Sequence, residues 1–436
     1  MTEKMKPSGI AAIGEIPASW DIVRIKDIGT YRNGLTYSPE DVTDKEYGTL
    51  VLRSSNIQNG KLSFEDNVYV SCDIPEDLYT QKGDIIICSR NGSSQLVGKN
   101  ALIENDDVNC SFGAFMMVYR CDCPRYMYYV LNSEIFSYYL GTFLTSTINQ
   151  LTGFNFGNMK IAYCPDPHEQ QAISDFLDIQ CAKIDIVIAD IEKQIETLQK
   201  YKKSLITEAV TKGLNQSAPM KDSGIEWIGE IPSSWKVEPI KYRVDFFNGD
   251  RGENYPSKAE MLSEGVPFIN AGHLLNDGLD MENMDYISEE KYKVMGGVKL
   301  RKGDILYCLR GSVGKNAILD IDRGTVASSL VALRSRSISA KFLYYSLNSH
   351  IDEVQRFLWD NGTAQPNLSA ENLGKFKVCI PNRQEQDTIV DFLDEKCSAI
   401  DDIVESKTQA LRTMQQHKKS LIYEYVTGKK RVTEVN

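Results

Sequence analysis

The sequence predicts an α+β protein. Two β-rich globular domains are joined by two long antiparallel coiled-coil helices, in a pseudo-two-fold tandem repeat. Three observations predict it. From Glu169 to Gly213 apolar residues recur in alternating steps of four and three, the heptad seam of a coiled coil. The same stretch returns from Glu385 to Gly428, 216 residues later. Ahead of each helix, short β-branched and aromatic runs alternate with Gly, Asn and Asp turns, the signature of short strands.

The elements follow in order. MKPSGIAAIGEIPASW (5–20) returns as MKDSGIEWIGEIPSSW (220–235). Within it Pro17 and Pro232 enforce an extended backbone, and Trp20 and Trp235 are candidate core anchors. The runs 49–57, 66–70, 84–89 and 114–120 read as strands. KGDI segments at 82–85 and 302–305 lead into turns closed by VGKN. Residues 126–143 read as one helix behind Pro124, and 341–358 as its repeat with Ser339 as N-cap. A strand at 159–165 or 375–381 ends at a proline and hands over to the long helix. The seam of the first helix is Leu177, Cys181, Ile184, Ile188, Ile191, Ile195, Leu198, Leu205 and Ala209, interrupted by Lys202. That of the second is Cys397, Ile400, Val404, Leu411, Met414, Leu421 and Tyr425, with Lys407 and Lys418 as polar positions. Each helix would span roughly 60 Å. One-sided seams need a partner, and the two helices are expected to partner each other, giving two heads on a stiff rod. The boundaries expected are a first domain at 1–165, a helix at 166–213, a linker at 214–223, a second domain at 224–380, a helix at 381–430 and a tail at 431–436.

Hydrophobic content of 42% and charged content of 25% in 436 residues are those of an ordinary globular protein. No apolar run is long enough for a membrane span, and the N-terminus lacks the apolar core of a signal peptide. Several of the ten cysteines fall at repeat-equivalent apolar positions, Cys181 with Cys397 and Cys88 with Cys308. They read as core thiols in a reducing cytoplasm. Cys121 and Cys123 form a CxC with no second pair at zinc spacing. The net charge of −11 argues against indiscriminate coating of nucleic acid, while leaving room for a local basic face.

Catalytic motifs are missing. The four histidines are not at metal-ligand spacing, and neither a GxGxxG nor a G-x-S-x-G elbow occurs. The turns at 92–100 and 311–316 have the wrong spacing for a phosphate-binding loop, and Asn100 and Asn316 replace its magnesium-binding hydroxyl. They are either plain turns between strands or turns aimed at DNA. In the second case Arg90, Ser93, Ser94, Gln95 and Lys99, with Arg310, Ser312 and Lys315, supply donors to phosphates or base edges. A further set differs between the repeats. Arg53, Ser54 and Asn56 correspond to Asn270 and His273, and Asn149, Gln150 and Asn155 are set against Gln365 and Asn367. These are either ordinary polar loops or the residues that read different bases.

GEIPxSW, KGDI with its R-N-G or R-G-S turn, P-x-x-x-EQ-x-x-I-x-x-F-L-D at 165–178 and 381–394, and KKSLI at 202–206 and 418–422 together resemble the specificity subunits of type I restriction–modification systems. The resemblance covers nearly the whole chain. It implies two target-recognition domains, each reading half of a bipartite site in double-stranded DNA, with the helices setting the gap. It implies two modification subunits that use S-adenosylmethionine, and restriction subunits that use ATP and magnesium. No cofactor or catalytic residue is implied in this chain. A specificity subunit of a related methylase–nuclease system, a self-contained DNA methyltransferase and a coiled-coil adaptor are the competing readings.

Overall fold

A computed structural model describes residues 4–104, 110–143, 149–275, 278–359 and 367–432. The chain forms two compact units, one of residues 1–192 with 409–436 and the other of 193–408. Each unit thus contains one β-rich head and a segment of both long helices.

The heads are built alike. In unit 1 an antiparallel sheet has the order Asn100–Leu102, Ile85–Cys88, Met116–Cys121, Gly29–Asn33. Unit 2 repeats it with Asn316–Ile318, Ile305–Cys308, Leu330–Ser335 and Val244–Asn248. The central strands IIIC and ILYC are buried at every position, which is why they read as continuous apolar runs rather than alternating ones. A smaller sheet follows in each head, with one parallel pairing, Ser111–Phe112 on Thr49–Leu52 and Thr325–Val326 on Val266–Ile269. The strand that hands over to each long helix pairs with one near the start of its own head: Lys160–Tyr163 with Asp21–Arg24, and Lys377–Ile380 with Lys236–Pro239.

Buried polar pairs fix the same geometry twice. The KGDI aspartates, Asp84 and Asp304, are buried and take bidentate bonds from Arg120 and Arg334 at 2.7–3.0 Å. The VGKN asparagines donate to carbonyls at the end of the next helix, Asn100 to Leu131 and Asn316 to Leu347. They are also linked to Asn132 and Asn348. This anchoring breaks the helix expected at 126–143 into Pro124–Leu131 and Glu134–Phe143, and that at 341–358 into Ala340–Leu347 and His350–Leu358. Ser339 is the N-cap, but its side chain makes no capping bond. Its N–H donates to Gln386 Oε1 at 2.7 Å. The expected linker also contains a strand, Met220–Asp222, paired with Glu230–Pro232.

The long helices run Pro167–Lys212 and Arg383–Val426. Asp166 accepts from the His168 N–H at the first start, and Asn382 accepts from the Glu385 N–H at the second. Within unit 1 Phe176 meets Tyr425 and Asp185 bonds Lys418, so the segments run antiparallel. Within unit 2 Gln194 meets Lys407 and Lys202 bonds Asp401, again antiparallel. Two of the polar interruptions are therefore ion pairs, Lys202–Asp401 repeating as Lys418–Asp185, while Lys407 donates to the Gln194 side chain. Of the predicted seam, Leu177, Ile184 and Ile400 are buried. Ile188, Ile191, Ile195, Leu198, Leu205, Val404, Leu411, Met414 and Leu421 are half-buried, as expected of a two-helix contact with one side open. Cys181 and Cys397 lie in the same seams, and burial pushes both thiols up to about 11.

Each long helix ends in a left-handed glycine, Gly213 at φ +71° and Gly428 at φ +68°, the usual helix stop. Both pack on the tryptophan of a GEIPxSW segment. A Cβ on Gly213 would lie 3.1 Å from the Trp235 ring, and one on Gly428 would lie 2.4 Å from Pro17. Placing Ala in left-handed backbone costs roughly 1–2 kcal/mol. Gly213→Ala is expected to lower unfolding free energy by about that amount, and Gly428→Ala by more because of the added overlap with Pro17. Urea denaturation of the two variants checks the order.

Candidate nucleic-acid interface

The strand Ile85–Cys88 ends in a turn held from two sides. The N–H groups of Ser89 and Arg90 both donate to the carbonyl of Phe115, at 2.9 and 3.1 Å. Arg90 forms an antiparallel bridge with Gln150, and Leu151 N–H donates to Ser89 O at 2.7 Å. Asn149 donates from its side chain to Gly92 O, and Asn91 donates to Ser54 Oγ. Three stretches singled out in the sequence, 53–56, 90–99 and 149–155, therefore meet at one place in unit 1.

Unit 2 builds the same junction. Leu309 N–H donates to Ser329 O, Leu368 N–H donates to Leu309 O, and Arg310 bridges Asn367. This corrects the register expected from the sequence. The structural counterpart of Gln150 is Asn367, not Gln365, and Asn155 corresponds to Asn372. Thr152 and Ser369 cap the two short helices, accepting from the N–H of Asn155 and Asn372 respectively. Gln365 itself lies outside the described residues.

The candidate side chains differ in availability. Arg90, Ser93, Ser94 and Gln95 are exposed, as are Arg310, Ser312 and Asn367. Lys99, Lys315, Asn149, Gln150 and Asn155 are half-buried. Arg53 is engaged with both oxygens of Asp66. Asn56 is buried, and its amide donates to Ser63 O, Asp66 O and Asn67 Oδ1. His273 is likewise buried, with Nε2 3.6 Å from Asp285, and Asn270 donates to the same carboxylate. Asn56 and His273 thus brace the turns on which Arg53 and Asn270 sit, and point inward.

Two features lie outside the residues singled out in the sequence. Phe115 reads as part of the strand 114–120, but the strand begins at Met116 and Phe115 stands in the preceding turn, 58% exposed. The Arg90 guanidinium lies over its ring, 5.2 Å from the centroid. In unit 2 Arg251 donates to Ser328 O, next to the residue that receives Leu309. Its setting, an arginine between Asp250 and Gly252 after Gly249, is a turn signal that could have marked it.

Beneath the second turn lies a buried charge network. Asp352 accepts from Tyr307 Oη at 2.9 Å and from Arg356 Nε at 2.7 Å, while Arg356 Nη1 donates to Val313 O inside the turn. Desolvation pushes the Asp352 carboxyl up to about 6, against the pull of Arg356. Unit 1 has Ile87, Phe136 and Leu140 at the matching places, with Phe136 and Leu140 against Gly98. Removing one partner of a buried pair costs roughly 3–5 kcal/mol, whereas replacing the whole set by apolar side chains is near neutral. Arg356→Ala should therefore destabilise unit 2 strongly, while the triple change Tyr307→Ile, Asp352→Phe, Arg356→Leu should not. Thermal denaturation of both variants tests this.

A family model described as the type I restriction modification DNA specificity domain matches the chain twice, over residues 17–197 and 232–413. The putative type I restriction enzyme MjaX specificity subunit of Methanocaldococcus jannaschii is 29% identical over 438 residues, covering 96% of each protein. The type I restriction enzyme EcoKI specificity subunit of Escherichia coli (strain K12) is 29% identical over 313 residues, 67% of this chain and 62% of that one. A chain from a solved structure on complex assembly and conformational transition of the type I R–M system superposes with a TM-score of 0.64. It does so at 16% identity over 95% of this chain and 99% of that one, a likeness of fold.

Proposed function

The chain belongs to the type I restriction–modification DNA specificity family, and on that footing we propose how it recognises DNA. Each unit reads one half of a bipartite duplex site through the junction of its arginine turn with the segment around Gln150 or Asn367. The observation that carries this reading is the double construction of that junction, Arg90 with Gln150 and Arg310 with Asn367. Arginine, asparagine and glutamine are the side chains able to bond bidentately to guanine or adenine edges in the major groove. Since the surrounding scaffold is the same and the turn residues differ, the two units recognise different sequences.

Methylation and cleavage belong to partner subunits on this reading, two modification subunits and the restriction subunits of the complex. S-adenosylmethionine, ATP and magnesium are held there. The turns of this chain are a poor fit to a nucleotide phosphate, because Asn100 and Asn316 are tied down inside and the chain runs on into strands, Asn100–Leu102 and Asn316–Ile318, instead of a helix N-terminus. Among the described residues no helix is long and apolar enough to cross a membrane. The buried thiols accord with a reducing cytoplasm.

Charge reversal tests the junctions. Arg90→Glu together with Arg310→Glu should reduce site-specific methylation by the assembled complex at least about tenfold, from the loss of one specific contact in each half-site. An adaptor unrelated to DNA would be indifferent to the change. The helices offer a second test. Removing one heptad from each shortens it by about 10 Å, or roughly three base pairs of duplex. Mapping of methylated adenines should show a shorter unread gap with both half-sites unchanged. Altered half-sites with the gap intact would refute the role given to the helices.

A further inference from the structure

We infer that Arg90, seated over the exposed ring of Phe115, is a specificity-determining residue of unit 1 and donates to the O6 and N7 acceptors of one guanine. Phe115 is its positioning residue. The inference rests on the DNA-recognition reading above and assigns a base to that site.

The argument begins with charge. The other arginines of the first head each face a carboxylate: Arg24 with Asp27, Arg32 with Asp77, Arg53 with Asp66, Arg120 with Asp84 and Arg125 with Asp175. Among the described residues of 4–165, Arg90 is the one arginine without such a partner. An arginine left uncompensated in an acidic chain keeps its full attraction for an anionic ligand.

Geometry then favours a base over a phosphate. The backbone of Arg90 is pinned by Phe115 O on one side and by the bridge to Gln150 on the other. The ring covers one side of the guanidinium, so the side chain loses less rotational freedom when it binds. Arg90 is exposed, and its guanidinium fork matches the two acceptors guanine presents in the major groove. A phosphate needs only a cation and could be met by a mobile lysine. Exposure of a large apolar ring beside the fork, with the Gln150 amide across the bridge, suits contact with a base edge.

Unit 2 provides the contrast. Ser329 stands where Phe115 stands, since each gives its carbonyl to the residue at the end of the central strand. Among the described residues no ring lies against the Arg310 guanidinium, and the platform belongs to the first unit.

The test uses the complete complex of this chain with its modification subunits, acting on a library of duplexes with every base varied in turn. Arg90→Ala should reduce discrimination at one G·C position of one half-site about tenfold to a hundredfold, leaving the other half-site unchanged. Arg90→Lys, which keeps the charge and loses the fork, should relax the same position while preserving overall binding. Phe115→Ser, copying unit 2, should relax it partly, and Phe115→Tyr should restore it. A uniform loss over all sequences, with the motif intact, would identify a phosphate contact and overturn the inference. Relaxation at an A·T position would overturn it equally. If Arg90→Ala combined with Arg310→Ala leaves both half-sites as they were, the DNA-recognition reading of the turns falls, and the inference with it.

Discussion

Two helices of 46 and 44 residues each carry a single apolar stripe, and that stripe is the constraint from which the rest follows. An isolated amphipathic helix is marginal in water, because its stability comes from packing rather than from propensity. Here each segment is covered by an antiparallel segment of the other helix. Asp185–Lys418 sets the register in one unit and Lys202–Asp401 sets it in the other. Exposed ion pairs of this kind contribute at most about 1 kcal/mol each. Their value is in register, since a slip of one heptad would leave lysine amid apolar neighbours. The same covering commits each head to helix segments from both repeats. Ile422, Tyr425 and Val426 join the core around Trp20, and Ile206, Ala209 and Val210 join the core around Trp235.

On that base, buried polar pairs decide what may vary. Asp84–Arg120 and Asp304–Arg334 hold the central strands, and Asn100–Asn132 and Asn316–Asn348 hold the end of the next helix. Both kinds of contact flank the arginine turn without entering it. The turn can change length and composition while its two ends stay fixed. Unit 1 closes the space under the turn with Phe136 and Leu140, and unit 2 closes it with Asp352 and Arg356. Two different chemistries thus support turns of different length between the same pair of strands. A recognition module needs that separation, because binding residues must be exchangeable without loss of the fold.

The helices, the duplication and the arginine turns were legible in the sequence because each is marked by a local pattern. The heptad period and the repeated KGDI need no knowledge of the third dimension. The pairing of Gln150 with Asn367 was hidden because the repeat offset drifts along the chain. The KGDI aspartates are 220 residues apart, the long helices 216, and these bridge partners 217. Matching glutamine to glutamine selects Gln365, whereas hydrogen bonding decides for Asn367. Phe115 was hidden by a different cause. An aromatic residue next to the apolar MMVY run looks like core, and only the point at which pairing with Ile85–Cys88 begins shows that it stands outside. Asn56 and His273 show the converse: side chains able to bond a base are used instead to satisfy turns from within.

The acidity of the chain now acquires a structural meaning. The net charge of −11 has the sign of duplex phosphates, which disfavours non-specific association. Its carboxylates are also placed to neutralise arginines that are structural, such as Arg120 on Asp84 and Arg356 on Asp352. Among the described residues of 4–165, the one arginine without a carboxylate partner is Arg90, at the junction where the three polar stretches meet. On the recognition reading proposed above, an excess of acid elsewhere sharpens discrimination. A wrong base at Arg90 would leave the repulsion of the surrounding acidic surface unopposed.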